Sequence, residues 1–264
     1  INLKKVRGMT YVHFNGAPAD VRALTSFCND NGLYSVEDCA ISLGASVESI
    51  PVGLWGDMGA FSFHPVKQLT TGEGGMVVSK YSKNIDKINS MKAFGVDKGF
   101  HERKIPGVYN VDSIGTNNRM AELPAAIGCG QLNSIESDLK ARKRNFNILK
   151  KTISDEIPQL KILGENNNDT RGYYNLIVLI DKKAKKDRNE VLLALKDLGL
   201  ECSVYYPHPI PRLKYYKDKY GYDKKQFENS ATIADKSFTI PLGPHLTDKD
   251  LTELINLLTR VFNK

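Results

Sequence analysis

Residues 59–75 read GAFSFHPVKQLTTGEGG, a β-forming run that reaches a lysine and then a glycine-rich turn. Runs of this kind bounded by glycine predict two strands, Gly59 to Phe63 and Gly75 to Ser79. A lysine that leaves a strand end beside small residues can lose water, which lowers its pKa and frees the amine to attack a carbonyl carbon. Lys67 is therefore a candidate for Schiff-base chemistry, although an exposed loop lysine is the alternative for such a residue taken alone.

An acidic pair stands upstream of this stretch, after another predicted strand. Met9 to Phe14 and Leu33 to Val36 predict strands, and a helical pattern that opens at Pro18 lies between them. This βαβ order places Asp38 at the carboxyl end of a buried strand, where open α/β sheets bind ligands. A carboxylate there can keep the ring nitrogen of pyridoxal phosphate protonated. The alternative is a helix N-cap or an ordinary turn acid.

The chain beyond residue 80 predicts two different regions. A helix over Lys83 to Phe94 and a Gly- and Asn-rich loop over 95–118 complete an α/β domain with a mostly parallel sheet. We place its end near residue 135, with a small α+β domain over 136–264. The further elements predicted are one helix or two over Met120 to Ile157, strands at Tyr173 to Ile180 and Glu201 to Tyr206, a loop at Asn166 to Asn168, and helices at Asp187 to Leu198 and after the Thr247–Asp250 capping box.

Composition limits the classes of partner. The chain has 264 residues with 37 Lys+Arg against 30 Asp+Glu, a net charge of +7 that favours anionic ligands. The lysine-rich runs 140–151 and 182–188 are typical of solvated helix faces, so we expect no nucleic-acid partner. No apolar run approaches the ~20 residues of a membrane span. Four cysteines without a C-x-x-C pair favour a reducing, cytoplasmic location and no metal site.

Asp38 and Lys67, 29 residues apart on successive predicted strands, belong to a larger set of motifs. Read together, these motifs resemble the DegT/DnrJ/StrS nucleotide-sugar aminotransferases, within the fold-type I pyridoxal-phosphate enzymes. The resemblance extends over nearly the whole chain. The residues that carry it are 37–40 (EDCA), 62–67 (SFHPVK), 72–75 (GEGG), 115–120 (GTNNRM), 125–128 (AAIG), 131–132 (QL) and, more weakly, 205–207 (YYP) and 241–242 (PL).

The resemblance implies a role for each matching residue. Lys67 matches the lysine that binds pyridoxal 5'-phosphate covalently and then shuttles a proton, and Asp38 matches the acid at the ring nitrogen. Ser62 matches a serine that binds the cofactor phosphate. Asn117 matches an asparagine that reaches the phosphate in the neighbouring subunit, which implies a homodimer with a shared active site. His64 and Arg119 match positions on the sugar-binding side. Without the resemblance, each of these four is an ordinary packing, turn or surface residue.

The chain also departs from the family pattern. Ile41 stands where the group usually has Gln or His against the cofactor ring hydroxyl, and Pro211-Arg212 replaces a histidine. The first third of the family, which includes the phosphate-binding loop at a helix N-terminus and a ring-stacking aromatic, precedes the part that this chain matches. We therefore expect the remainder of a large fold-type I domain followed by the small C-terminal domain.

Four functions compete at this stage. The first is transfer of an amino group from an amino acid, glutamate by expectation, to a keto-deoxysugar of a nucleotide sugar, for surface-glycan or amino-sugar biosynthesis. The second is a deoxysugar dehydratase, which in this superfamily carries a histidine in place of Lys67. The third is a non-catalytic fragment or subunit that needs a companion chain to complete the cofactor site. The fourth is nucleic-acid binding, for which no recognised motif is present.

Overall fold

A computed structural model describes residues 3–164, 169–223 and 226–263. The described residues form two compact units, one of residues 3–136 and 169–172 and the other of residues 137–164, 173–223 and 226–263. The loop predicted at Asn166 to Asn168 lies outside the described residues. None of the helices described is both long and apolar enough to cross a membrane.

In the part that the structure describes, the first unit contains six strands and three complete α-helices. Its strands are β1 (Gly8–Val12), β2 (Tyr34–Asp38), β3 (Ser46–Val47), β4 (Ile50–Pro51), β5 (Met58–Ser62) and β6 (Gly75–Val78), and its helices are α1 (Val21–Asp30), α2 (Ser82–Met91) and α3 (Glu122–Leu132), with the start of α4 (Ile135–Glu156). The second unit continues α4 and contains β7 (Leu160–Ile162), β8 (Leu176–Ile180), α5 (Arg188–Asp197), α6 (Lys214–Tyr220), α7 (Glu228–Lys236), β9 (Ser237–Ile240) and α8 (Asp248–Phe262).

A four-stranded sheet organises the first unit in the order β1-β2-β5-β6. The first three strands are parallel and β6 is antiparallel to β5, which matches the predicted mostly parallel sheet. Asp38 lies in register with Val12 on one side and Ala60 on the other. The carboxyl ends of the parallel strands therefore meet at one edge, and the residues that follow Asp38 and Ser62 leave the sheet there.

The connection between β1 and β2 follows ordinary helix rules. Asp20 caps α1 by accepting a hydrogen bond from the Ala23 backbone N–H at 3.2 Å. Of the apolar positions with helical spacing, Val21 and Cys28 are buried, whereas Phe27 is 43% exposed. After α1 the chain turns at Gly32, whose φ of +61° is accessible to glycine at little cost. This turn returns the chain to β2 and completes the parallel pair.

The second unit has its own core around an antiparallel sheet in the order β7-β8-β9. β8 is almost wholly buried and packs with apolar side chains from α4, α5, α8 and β9, including Leu149, Ile153, Leu195, Phe238 and Leu258. The predicted capping box of α8 is confirmed, because Thr247 accepts from the Asp250 N–H and the Asp250 carboxylate accepts from the Thr247 N–H.

One expectation about the second half is wrong, and another is narrowed to one of its two alternatives. The strand predicted at Glu201 to Tyr206 is wrong, because this segment makes only a single bridge, Ser203 to Thr239, with β9. Prolines at 207, 209 and 211 follow it directly and offer no N–H to continue a ladder. The long helical stretch resolves into two helices that separate at Asn133-Ser134. Short strands β3, β4, β7 and β9 and helices α6 and α7 were not predicted.

Candidate active site

Asp38 occupies the carboxyl end of the central strand β2. Its backbone carbonyl accepts from the His13 N–H at 3.1 Å, which extends the β1–β2 pairing by one residue. One carboxylate oxygen, Oδ1, accepts from the Ala40 N–H at 3.0 Å, so the side chain is fixed by the turn that follows it. The half-buried carboxylate thus projects from a rigid strand end with its second oxygen available to another donor.

Lys67 lies in the loop that follows β5 and is half-buried. A turn fixes its backbone, since its N–H donates to the His64 carbonyl at 3.0 Å. Burial lowers the pKa of the Lys67 amine, and the negative charge of Asp38 opposes that shift without cancelling it. The amine is therefore partly desolvated and within electrostatic reach of Asp38. The structure brings together the two residues on which the sequence interpretation depends.

Cross-loop hydrogen bonds hold the segment that carries Lys67. The Phe63 carbonyl accepts from the Thr71 N–H at 2.9 Å and from Thr70 Oγ1 at 3.1 Å, and the Phe63 N–H donates to Gly74. The side chain of Gln131, from α3, accepts from the Thr70 N–H at 2.9 Å. Residues 63–74 therefore form a closed loop tied to α3, and this gives the family-matching Gln131 a structural role.

Ser62 and His64 lie at the root of the same loop. Ser62 ends β5, and its half-buried hydroxyl oxygen accepts from the His64 N–H at 3.3 Å. The His64 ring is exposed, with its Nε2 3.9 Å from a Glu73 carboxylate oxygen. Both residues thus precede Lys67 by a few positions in the chain, with Ser62 on the sheet and His64 toward solvent.

Asn117 and Arg119 form a separate exposed pair. Asn117 Oδ1 accepts from Arg119 Nε at 3.0 Å, and the guanidinium lies 5.1 Å from the centre of the Phe94 ring. The Asn117 backbone forms a bridge with Ala93, next to the end of α2. The other contacts of this pair are with Ala93 and Phe94 after α2, whereas Asp38, Ser62, His64 and Lys67 lie on β2, on β5 and in the loop that follows β5. The structure therefore groups the predicted site residues into two sets.

Glu37, the neighbour of Asp38, is the most highly coordinated side chain near the site, and the sequence interpretation assigned it no role. It is fully buried and accepts from His13 Nε2 at 3.0 Å and from the N–H groups of Gly53, Trp55 and Gly56 at 2.9, 2.8 and 2.7 Å. Burial raises its pKa, but these hydrogen bonds outweigh burial and leave the pKa below the ordinary value. Glu37 is an ionised anchor for residues 53–56.

Cys39 lies close to the His13–Glu37 pair, so that three metal-ligating residue types cluster in the core. The atoms that could bind a metal already take part in hydrogen bonds. His13 Nδ1 accepts from the Ala19 N–H at 3.1 Å, and Glu37 accepts four hydrogen bonds. Burial raises the pKa of the Cys39 thiol to about 12, so it stays protonated and is a poor ligand. We assign this cluster a structural role.

The two departures from the family pattern have different surroundings. Ile41 is buried and contributes its carbonyl, at 3.4 Å, to the side-chain amide of Gln68. An isoleucine side chain offers neither donor nor acceptor, so no polar group replaces the expected Gln or His at this position. In the second unit, Arg212 ends a short 3₁₀ helix and donates from Nη1 to both carboxylate oxygens of Asp235 at 2.7 and 2.9 Å.

A half-buried arginine that the sequence interpretation missed organises the second unit. Arg142 Nη1 donates to the carbonyls of Tyr174 at 3.1 Å and Leu242 at 2.8 Å. Burial lowers the pKa of Arg142, although the ordinary value is so high that the side chain keeps its charge. Nothing in the sequence distinguishes Arg142 from the other basic residues of α4. Only its hydrogen bonds to carbonyls about 30 and 100 residues away in the chain reveal its role.

Comparison with known proteins relates the chain to a family of aminotransferases. The sequence pattern of the DegT/DnrJ/EryC1/StrS aminotransferase family matches residues 3–259. GDP-perosamine synthase of Vibrio cholerae is 30% identical over 98% of this chain and 68% of its own length. The spore coat polysaccharide biosynthesis protein SpsC of Bacillus subtilis is 31% identical over 95% of this chain and 65% of its own length.

The fold agrees with a solved structure of the same kind. Helicobacter pylori PseC, an aminotransferase involved in the biosynthesis of pseudoaminic acid, superposes with a TM-score of 0.91 at 22% identity, over 100% of this chain and 68% of that one. At this identity the likeness establishes the α/β fold of pyridoxal-phosphate aminotransferases. The chain spans about two thirds of the length of the relatives it matches.

Proposed function

The chain belongs to the DegT/DnrJ/EryC1/StrS aminotransferase family, and on that basis we propose that it carries the lysine-bearing part of a nucleotide-sugar aminotransferase. The amino group passes from an amino acid, glutamate in our proposal, to a keto-deoxysugar attached to a nucleotide. Relatives named for perosamine synthesis and for spore coat polysaccharide support a role in amino-sugar and surface-glycan biosynthesis. The net charge of +7 suits such an anionic substrate.

One observation carries this proposal, namely the partly desolvated Lys67 amine within reach of the Asp38 charge at the carboxyl end of a parallel sheet. Members of this family use pyridoxal 5'-phosphate, and these residues fit that cofactor. Asp38 has one carboxylate oxygen held by Ala40 and a second able to accept from a pyridinium N–H. Lys67 has the lowered pKa that a nucleophilic amine requires.

The chain's own residues divide the chemistry. The cofactor, when bound, supplies an electron sink for the carbon–hydrogen bond that breaks. Lys67 Nζ would bind the cofactor aldehyde and, as the free amine, would take and return the proton of that carbon. Asp38 would keep the ring nitrogen protonated, and Ser62 would donate its hydroxyl hydrogen to the cofactor phosphate. In this proposal His64 and Arg119 contact the sugar nucleotide, because both side chains are exposed and accessible to it.

A homodimer with a shared site is part of the proposal. Asn117 would reach the phosphate of the neighbouring subunit. The region around it exposes large apolar side chains, with Ile114 93% and Leu123 80% exposed, and helix α3 buries only Gly128. Apolar surface of this kind is typical of interfaces between subunits. Two copies of the chain that pair through this region would cover it and place Asn117 near the second site.

Domain roles and location complete the proposal. We assign residues 1–135 to the remainder of the large cofactor-binding domain and 136–264 to the small C-terminal domain, and the two compact units support this division. A cytoplasmic location is supported by the four cysteines, all of which are free. The alternative of a non-catalytic fragment is less well supported, because the family match includes Lys67 and Asp38.

The test uses the intact protein. Addition of pyridoxal phosphate followed by borohydride reduction should attach one label per chain, on Lys67, and a keto-sugar nucleotide with glutamate should be aminated. Lys67→Ala should take up no label at that peptide and lose turnover. The matched control is Lys83→Ala, an exposed lysine on α2. Full turnover by Lys67→Ala, or a label that persists elsewhere while Lys67 stays unmodified, would overturn the proposal.

A further inference from the structure

A single buried amide spans two loops and a third segment of the first unit. The side chain of Gln68 is 9% exposed, and its Nε2 donates to the Gly172 carbonyl at 2.9 Å, with longer contacts to the carbonyls of Leu43 at 3.3 Å and Ile41 at 3.4 Å. The amide has two hydrogens, so the short bond to Gly172 takes one and the two longer contacts share the other.

These partners follow Asp38 in the chain, whereas Gln68 follows Lys67. Asp38 is separated by two residues from Ile41, and the intervening turn is closed by the Ser42 N–H, which donates to the Cys39 carbonyl at 3.1 Å. Lys67 and Gln68 are covalent neighbours on the loop tied to Phe63. The Gln68 amide is thus a direct cross-link between the loop that carries the amine and the turn that follows the carboxylate.

The third partner is itself fixed. The Gly172 N–H donates to the Gly16 carbonyl at 2.8 Å, and Thr170 and Ser46 exchange two backbone hydrogen bonds of 2.9 Å. A methyl group added at Gly172 would lie 2.7 Å from the Leu43 carbonyl oxygen and 3.0 Å from Gln68 Nε2. The Gly172 carbonyl is therefore a rigid reference point against which Gln68 is tightly packed.

We propose that Gln68 is a positioning residue that holds the Lys67 amine beside Asp38, an inference that rests on the proposed function of those two residues. The amide acts through the backbone, because a short tether at position 68 limits where the adjacent residue can place its side chain. It is neutral, so it constrains the amine without adding a charge to the site. Loss of the cross-link lets the loop at 67 swing toward solvent while the rest of the sheet stays in register.

A merely structural role for Gln68 predicts a different result. A buried amide that loses its acceptors lowers the free energy of unfolding wherever it lies in the molecule. Only a positioning role also changes the titration of one particular amine. The lowered pKa of Lys67 comes first from burial, so a loosened loop should raise that pKa toward the value of a free lysine side chain.

The experiment compares lysine reactivity in the full-length protein without cofactor. Trace acetylation with acetic anhydride between pH 7 and 11, read by mass spectrometry peptide by peptide, gives the titration midpoint of Lys67. The test variants are Gln68→Met, which keeps the chain length without the amide, and Gln68→Asn, which keeps the amide but not the reach to Gly172. Gly172→Ala leaves Gln68 unchanged but places a methyl group 3.0 Å from its Nε2, which should displace the amide. Circular dichroism and the thermal midpoint report folding of each variant.

A matched control is available in the second unit. Asn145 is fully buried and donates through Nδ2 to the Gly243 carbonyl at 2.8 Å and the Leu246 carbonyl at 3.3 Å, a cross-link of the same kind within the second unit. Asn145→Leu should lower the thermal midpoint as Gln68→Met does, yet leave the Lys67 titration unchanged. In the Gln68 variants and in Gly172→Ala the titration midpoint of Lys67 should rise, so that labelling of Lys67 near pH 8 slows about threefold or more.

The outcomes separate this inference from the proposed function. Gln68 variants that fold and keep the wild-type titration of Lys67 would overturn the positioning role, even if the protein binds pyridoxal phosphate. The Gln68 variants could raise the titration midpoint of Lys67 while the wild-type protein never attaches pyridoxal phosphate to Lys67. That result would overturn the proposed function but support the positioning role of Gln68. Should Gln68→Met not fold, Gln68→Asn and Gly172→Ala decide the question by the same readout.

Discussion

The carboxylate of Glu37 accepts a hydrogen bond from His13 Nε2 at 3.0 Å, and both side chains are fully buried. His13 directly follows β1, and Glu37 lies beside Asp38 in β2, so this pair joins the two strands on the face opposite to the candidate catalytic carboxylate. Because Glu37 also accepts three backbone hydrogen bonds from residues 53–56, it fixes the chain that leads into β5.

Removal of the Glu37 charge should therefore lower the free energy of unfolding. Glu37→Gln keeps the shape but turns an N–H donor toward other donors, so we expect a loss of about 2 to 5 kcal/mol in the free energy of unfolding at pH 7. Urea denaturation measures it. Glu48→Gln, which alters an exposed pair with Arg22, is the control and should change little. Equal losses in the two variants would contradict the role of Glu37 as an anchor.

The same anchor predicts a pH dependence. The pKa of Glu37 in the folded protein lies below its ordinary value of 4.5, so its ionisation contributes stability that is fully present above pH 4.5. That contribution is lost as the pH falls through the lower folded-state pKa. The stability gap between wild type and Glu37→Gln should narrow in acid, which denaturation at pH 7, 5, 4 and 3 can measure. A gap that stays constant down to pH 3 would show that the charge is not responsible.

The sequence predicted the elements around the candidate site well because local signals specify them. The glycines of residues 59–75 and the capping box of α8 each act over a few residues, and both were found. Glu37, Gln68 and Arg142 were missed because their partners lie 16 to 104 residues away in the chain. A side chain that bonds distant carbonyls has no periodicity or spacing that could reveal it.

The strand predicted at Glu201 to Tyr206 failed for a related reason. Its residues are good β-formers, but a strand needs a partner with free N–H and C=O groups along several positions. Here β9 pairs with β8 over four residues and offers the segment only the Ser203–Thr239 contact. Tertiary pairing, which the local pattern does not contain, decides the outcome.

Asp38 should control the titration of Lys67. Its negative charge raises the pKa of the amine, in opposition to burial, so Asp38→Asn should lower the pKa of Lys67 further. Trace acetylation of the cofactor-free protein should show Lys67 reacting at lower pH than in wild type. The control is Asp30→Asn, an exposed acid at the end of α1. A Lys67 titration that moves to higher pH in Asp38→Asn would rule out the electrostatic contact between them.

Gly59 should tolerate no side chain. A Cβ at this position would lie 2.3 Å from the Gly53 Cα and 2.8 Å from the Gly53 carbonyl oxygen. Both are backbone atoms, so residues 53–56 would have to move away from Glu37. Gly59→Ala should cost about 2 kcal/mol or more. Gly130→Ala is the matched control, because open space surrounds that helical glycine, and it should stabilise α3 by up to about 1 kcal/mol.

Apolar residues near Asn117 should govern self-association. If a second copy covers them, Leu123→Asp should raise the dimer dissociation constant at least tenfold, since a charge is placed in a desolvated contact. Analytical ultracentrifugation of the full-length protein measures this. Leu193→Asp, on α5 and 63% exposed, is the control and should leave association unchanged. Leu123 is already exposed in the single chain, so the variant should keep its thermal midpoint.

A mixture of two inactive variants tests whether the site is shared. If Asn117 serves the neighbouring subunit, a Lys67→Ala chain lends an intact Asn117 to a partner that has Lys67 but carries Asn117→Ala. Random pairing makes half of the dimers mixed, and one of their two sites is complete, so refolding the variants together should restore about a quarter of wild-type activity. Each variant refolded alone should stay inactive. If Asn117 acted within its own chain, neither site of the mixed dimer would be complete, and the mixture would show no gain over the separate variants.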